Sequence, residues 1–201
     1  IAMNIDNKMD YYMSYSEMLL TNRNLISTAE NSDFETVEGV LSSESARFIA
    51  LNSGNINKIQ IYRNGIYTNE YYDIQSIYEQ FEVGKPAYAS NVYWTGTYLN
   101  DRNEKVFSLF RRLYQTNPDR VYLLEICLYE TELFNLFTKE NRDNQIKITG
   151  GDHILSMSDR ANFSDSLFDI REAYVGIVDS KQSDPDTYEI VAPCGIGWDV
   201  V

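Results

Sequence analysis

Histidine is nearly absent: the 201 residues hold one, His153, with only two cysteines and four prolines. A lone imidazole beside a Gly150-Gly151-Asp152 turn leaves no Ser-His-Asp or Cys-His arrangement within reach. Neither clustered metal ligands nor a phosphate-cradling glycine loop occurs in the chain. Asp152, Asp159, Asp165 and Asp169 lack the spacing and central glycine of a calcium loop, so they read as a solvated face. A glycosidase-type carboxylate pair would have thirty acids to draw on, and nothing singles out two. The chain is therefore read as a non-enzyme with no cofactor and no metal.

Basic charge is also scarce. Seventeen Lys and Arg against thirty Asp and Glu give a net charge of -13, which repels a phosphate backbone and disfavours nucleic acid and anionic lipid as partners. Cys127, in a strand pattern, and Cys194, near the C-terminus, read as buried apolar fillers rather than a bridge. No run of eighteen apolar residues and no basic-then-apolar leader is present. The chain opens in helical register without a start signal, as a segment of something longer would.

What the chain has is apolar and aromatic material: 43% hydrophobic residues, sixteen of the chain's residues being tyrosines. That suffices for one core, or for two small subdomains. Ile5, Met9, Tyr12, Ser16, Leu19, Arg23 and Ile26 recur at alternating four and three on one long helix. The stripe reads first as a face packed on the chain's own sheet and second as a homodimer seam, which Ser16 and Arg23 weaken. Asn31-Ser32-Asp33 breaks the helix, and Ser32 with Glu35 is expected to box the start of another, striped by Phe34, Val37, Leu41, Phe48 and Leu51. Gly54 suits a left-handed cap at its end.

Strand signals follow. Asn64-Gly65 predicts a hairpin after Ile59 and Ile61, and Asp73 starts a short helix carrying Ile74, Ile77, Tyr78 and Phe81. A strand from Ala87 to Trp94 leads through Thr95-Gly96-Thr97 and a polar turn at residues 100–103 into two long strands, 105–114 and 121–129. Pairing of Tyr114 with Val121 would put Phe107, Leu109, Arg111 and Leu113 on one face with Tyr122, Leu124, Ile126 and Leu128. Ser108, Phe110, Arg112, Leu123, Glu125 and Cys127 would share the other, and both faces are apolar enough to be covered. A helix over 130–140 buries Leu133, Phe134 and Phe137. The polar run 141–144 marks a boundary, beyond which strands at 145–149, 154–157, 173–178 and 188–192 precede a short last strand.

This order, with Lys58-Ile59-Gln60-Ile61-Tyr62-Arg63-Asn64-Gly65, the strand Val106 to Leu113, the strand Val121 to Ile126, the helix at Glu132-Leu133-Phe134, the strand-turn-strand Ile146 to Ser156 and the closing Gly197-Trp198-Asp199-Val200-Val201, resembles the extracellular double Cache domain of bacterial sensor histidine kinases, nearest to the YesM-like kinases. The resemblance implies an α+β fold. A helical spine over 1–55 would carry a membrane-distal, PAS-like antiparallel sheet over 56–144 and a smaller membrane-proximal sheet over 145–201. It further implies a small extracellular ligand, attachment to the bacterial membrane through flanking transmembrane helices outside this chain, and signalling across it. Sugar, small acid and peptide all remain open as ligands, with carbohydrate or peptide favoured by the subgroup's association with nutrient uptake. The amino-acid-binding arrangement of the family is not matched, because no arginine stands just before Tyr93-Trp94. A chemotaxis receptor or cyclic-dinucleotide enzyme carrying the same module is the alternative output, and a pocketless protein-interaction module the alternative class.

The ligand face of that fold would implicate Tyr78, Tyr88, Tyr93, Trp94, Tyr98 and one of the strand arginines Arg111 and Arg112. Adjacent strand residues point to opposite faces, so one arginine enters the covered interior. It would pair with Glu125, diagonal to Arg112, or clamp a carboxylate or sugar hydroxyl. Trp94 reads either as sheet cover or as a ring at a pocket mouth.

Overall fold

The computed structural model describes residues 2–63, 92–113, 122–137, 146–150, 153–158, 192–193 and 198–200. Three helices come first: α1 (Ala2–Thr21), α2 (Arg23–Asn31) and α3 (Phe34–Leu51). Ile5, Met9, Tyr12, Ser16 and Leu19 are all buried, so this stripe lies inside the chain's own core. The single long helix expected over this stretch is two. Asn22 interrupts it in extended conformation and its side chain caps α2 by accepting the Leu25 amide at 3.0 Å. The buried register then moves to Leu25 and Ala29, leaving Arg23 exposed.

Helix α3 differs from the sequence expectation in three respects. The residue capping α3 is Asp33, accepting the Thr36 amide at 2.9 Å, and not Ser32. The Asp33 carboxylate reaches the orphan amide three residues on, as an N-cap does. Helix α3 ends at Asn52, whose backbone amide bonds Phe48 and Ile49 carbonyls, without a left-handed residue at Gly54. Leu51, expected in the stripe, is 74% exposed, while Ser45 is buried in its place on that face.

A five-stranded antiparallel sheet follows, built from β1 (Ile56–Arg63), β2 (Val92–Trp94), β3 (Tyr98–Leu99), β4 (Lys105–Leu113) and β5 (Tyr122–Tyr129). Its order is β1-β5-β4-β2, with β3 also on the outer side of β4. Leu113 pairs with Tyr122 and Phe107 with Leu128, the register and face assignment expected from the sequence. Strands β4 and β5 are buried on both faces. Between β4 and its predecessor, Asn100 organises a turn by accepting the amides of Arg102 and Glu104 at 3.0 and 2.8 Å, with Asn103 left-handed at φ 60°.

Helix α4 (Thr131–Phe137) leads to a second antiparallel sheet of β6 (Lys147–Gly150), β7 (His153–Met157), β8 (Ala192–Pro193) and β9 (Trp198–Val200), ordered β7-β6-β9-β8. The molecule is thus α+β, with helices and two antiparallel sheets. Helices, first sheet and second sheet share one apolar core, in which Ile146, Ile148 and Leu155 join Ile5, Leu19, Val37, Phe107 and Leu124. Polar ties reinforce the junction. Ser156 donates to Glu130, Thr97 donates to the Leu155 carbonyl, and Tyr12 on α1 donates to Glu132 on α4 at 2.7 Å beside Lys8 at 2.9 Å. The hairpin at Asn64-Gly65, the helix after Asp73, the boundary at 141–144, and the strand at 173–178 lie outside the described residues.

Candidate functional site

Strand alternation divides the first sheet into a helix-side face and a far face. Cross-strand pairs put Trp94 with Leu109, Arg111 with Leu124 and Val92 with Arg111 on the helix side. There the Trp94 ring packs against Phe107 with centroids 5.9 Å apart, and Arg111 donates to the Met13 carbonyl of α1 at 3.4 Å. Tyr93 pairs with Phe110, Phe110 with Glu125 and Arg112 with Leu123 on the far face. Of the residues singled out from sequence, Tyr93, Tyr98 and Arg112 therefore share the far face, and Trp94 and Arg111 lie across the sheet from them. Tyr78 and Tyr88 fall outside the described residues.

The far face is organised by a residue that the sequence suggested only as an ion-pair partner. Glu125, central on β5, is wholly buried. A carboxylate stripped of water costs several kcal/mol unless donors replace it. Here Tyr62 donates to Oε2 at 2.6 Å and Ser108 to Oε1 at 2.6 Å, with the Tyr98 hydroxyl at 3.4 Å. A cationic partner is Lys58, its Nζ 3.5 Å from Oε2. Lys58 pairs with Cys127 across β1 and β5, so it approaches Glu125 along a diagonal between neighbouring strands, the same relation that Arg112 has from β4.

Proton positions in this group follow from the geometry. Ser108 has one hydroxyl proton and gives it to Glu125, so in the 2.8 Å contact between Tyr98 and Ser108 the tyrosine donates. Cys127 lies 3.6 Å from the Tyr98 hydroxyl. Burial and the nearby Glu125 charge push its thiol up to about 12, so it stays protonated and can donate in turn. Burial likewise raises the Tyr93 hydroxyl above its usual range. The result is a directional chain of sulfhydryl and hydroxyl donors aimed at one carboxylate, with the Tyr62 and Phe110 rings 6.3 Å apart beside it. Thr95 anchors the adjoining edge: its amide donates to the Ser108 carbonyl at 2.9 Å and its hydroxyl accepts the Ser108 amide at 2.8 Å.

The sequence carried a signal for this group. A glutamate inside Val121 to Tyr129, a strand apolar on both faces, has no solvent to turn to and needs donors from neighbouring strands. Ser108 was placed on the Glu125 face by the expected pairing of the two long strands, whereas Tyr62 and Lys58 required knowledge that β1 lies beside β5. Among the described residues no three His, Cys, Asp or Glu side chains gather as a metal site, and Cys127 is free. No helix among them is long and apolar enough to cross a membrane.

No family model matches the chain, and no curated protein matches it. Among solved structures, the chain is similar to one titled "extracellular domain of the putative histidine kinase vpHK1S-Z8", with a TM-score of 0.52 and 11% identity over 85% of this chain and 72% of that one. The helices and antiparallel sheets seen here are thus a fold shared with that extracellular domain.

Proposed function

We propose that this chain is the extracellular sensor domain of a two-component histidine kinase of the double Cache, YesM-like kind, binding a small solute on the far face of its first sheet. The fold likeness to a histidine kinase's extracellular domain, extending over 85% of the chain, carries this reading. The far face supports it chemically, since it combines aromatic walls with a few fixed polar groups, the usual make-up of a small-molecule site. In this reading Tyr93, Tyr98 and Arg112 contact the solute directly, while Trp94 and Arg111 act from behind, through the helix-side packing of β2 and β4. Binding signals by favouring one of two arrangements of the helices and second sheet, and a ligand does so only as far as it binds the two unequally. The kinase itself would lie beyond a transmembrane segment outside this chain, on the cytoplasmic side.

The test is a thermal-unfolding screen of the purified chain against sugars, organic acids, short peptides and amines, followed by recovery of each hit. A sensor domain raises its melting temperature with a hit and returns the hit chemically unchanged. Conversion of the hit would overturn the reading in favour of an enzyme. Silence across all four classes would overturn it in favour of a protein-docking module.

A further inference from the structure

We propose that a bulge at Leu155 is a conformational joint, held in its present register by Thr97, through which the far face of the first sheet sets the arrangement of β6, β7 and β9. The joint is built into the chain and is measured without a solute, so it stands or falls separately from solute binding; a solute on the far face acts through it. Its starting point is an irregularity in the β6–β7 ladder. Ile148 pairs with Ser156 and Thr149 with Ile154, so the register skips Leu155. A strand residue skipped in this way is a β-bulge, and where it is buried its backbone needs partners outside the ladder. Leu155 is buried, and its carbonyl accepts the Thr97 hydroxyl from the first sheet. Drawing Leu155 back into the ladder shifts the rest of β7 by one position, so the strand has two discrete arrangements rather than a continuum.

The residue that holds the bulge is itself tied to the far face. Residues 95–98 are buried throughout, although connecting segments usually run over the surface. Both ends of this segment close on Ser108. Thr95 exchanges two bonds with the Ser108 backbone at 2.8 and 2.9 Å, and the Tyr98 hydroxyl lies 2.8 Å from the Ser108 hydroxyl, which donates to Glu125. Thr97, between them, reaches β7 instead. A displacement of Ser108 therefore passes to Thr97 through a closely packed segment, and packed interiors transmit strain. A second tie lies one residue along β7: Ser156 donates to Glu130, whose amide donates to the Lys105 carbonyl at 2.9 Å. Ser108 and Lys105 are both on β4, so that strand holds Leu155 and Ser156 by two routes. On the other edge of β6, Ile148 and Thr149 pair with Val200 and Asp199, which carries the register of β7 on to β9.

The experiment compares amide hydrogen exchange, resolved by NMR, in the wild-type chain, Thr97→Val, Ser108→Ala and the double variant, with no ligand present. Thr97→Val is expected to speed exchange of the β6, β7 and β9 amides about five-fold, as the loss of one buried hydrogen bond implies, while β1 and β5 keep wild-type rates. Ser108→Ala should speed the same second-sheet amides. The double variant should add little to either single change, because both act through one contact. Thr97→Ser, which keeps the hydroxyl, should leave exchange as in the wild type, and so should Ile61→Val in the second sheet, since it loosens the first sheet on its helix side. Unchanged second-sheet exchange in Ser108→Ala, additive effects in the double variant, a uniform rise over both sheets in Thr97→Val, or an equal second-sheet rise in Ile61→Val would each overturn the inference. If Ser108→Ala does not fold, Tyr98→Phe opens the same link from the far face and is read by the same criteria.

Discussion

A thiol at Cys127 held protonated until about pH 12 makes stability fall on the alkaline side. The unfolded thiol titrates near its ordinary value of about 8.5, so the folded chain binds the proton more tightly. The contribution is fully present below that value and is lost as pH rises toward 12, at about 1.4 kcal/mol per pH unit at most. Tyr15, pushed up to about 12 by burial and the Glu44 carboxylate, adds to the loss once pH passes the usual tyrosine range. Denaturant titrations between pH 8 and 10 should therefore show a steeper decline for the wild type than for Cys127→Ala. Trp94 offers a second test at this scale. Its ring is half-buried and packs on Phe107 at the helix-side core, so Trp94→Ala should cost about 2 to 3 kcal/mol, below the full penalty for an emptied core site. Urea unfolding of the variant measures it, and a loss under 1 kcal/mol would place the ring outside the core.

Among the elements, the break between α1 and α2 depends on one side chain. Asn22 accepts the Leu25 amide and donates to Glu44 Oε2 of α3 at 2.9 Å, so it caps one helix and pins it to another. Asn22→Ala should destabilise the chain by about 1 kcal/mol, the usual worth of an N-cap. Chemical denaturation checks the figure, and Glu44→Ala separates the pin from the cap. This break was not legible in the sequence, because Ile5 to Leu19 and Leu25 to Ala29 can be drawn as one continuous stripe, and an asparagine inside it resembles any exposed polar residue. The β4–β5 register was legible: alternation on both strands and a short polar connection leave one pairing that keeps Phe107, Leu109, Ile126 and Leu128 together. Period-two alternation also carried the separation of Arg111 from Arg112, and the same rule separates Tyr93 from Trp94. The Glu125 group was legible only in part, since its donors come from β1, β3 and β4, and strand adjacency is set by tertiary packing rather than by local pattern.

Across the whole molecule, one apolar core runs through helices and both sheets, with Ser156–Glu130 and Thr97–Leu155 bonds at the junction. Elements that share a core unfold together, so heat or denaturant should give one transition, coincident by tryptophan fluorescence and far-UV circular dichroism. Two resolved transitions would show that the sheets are separately stable. Ser156→Ala leaves the Glu130 carboxylate short of a donor in a buried setting and should lower the midpoint of that single transition.

The pairing of β1 with β5 also sets a timetable. Tyr62 meets Glu125 across 63 positions, and Tyr12 meets Glu132 across 120. A chain emerging from its N-terminus therefore completes its three helices and β1 long before their partners exist. The part of the α1 stripe that packs on β4, β5 and α4 waits for them to be made, although Tyr12 and Tyr15 can already meet Phe48 of α3. Contacts this distant in sequence place folding in the slow, millisecond-to-second range, and make the nascent N-terminal helices the stretch most in need of protection from premature association.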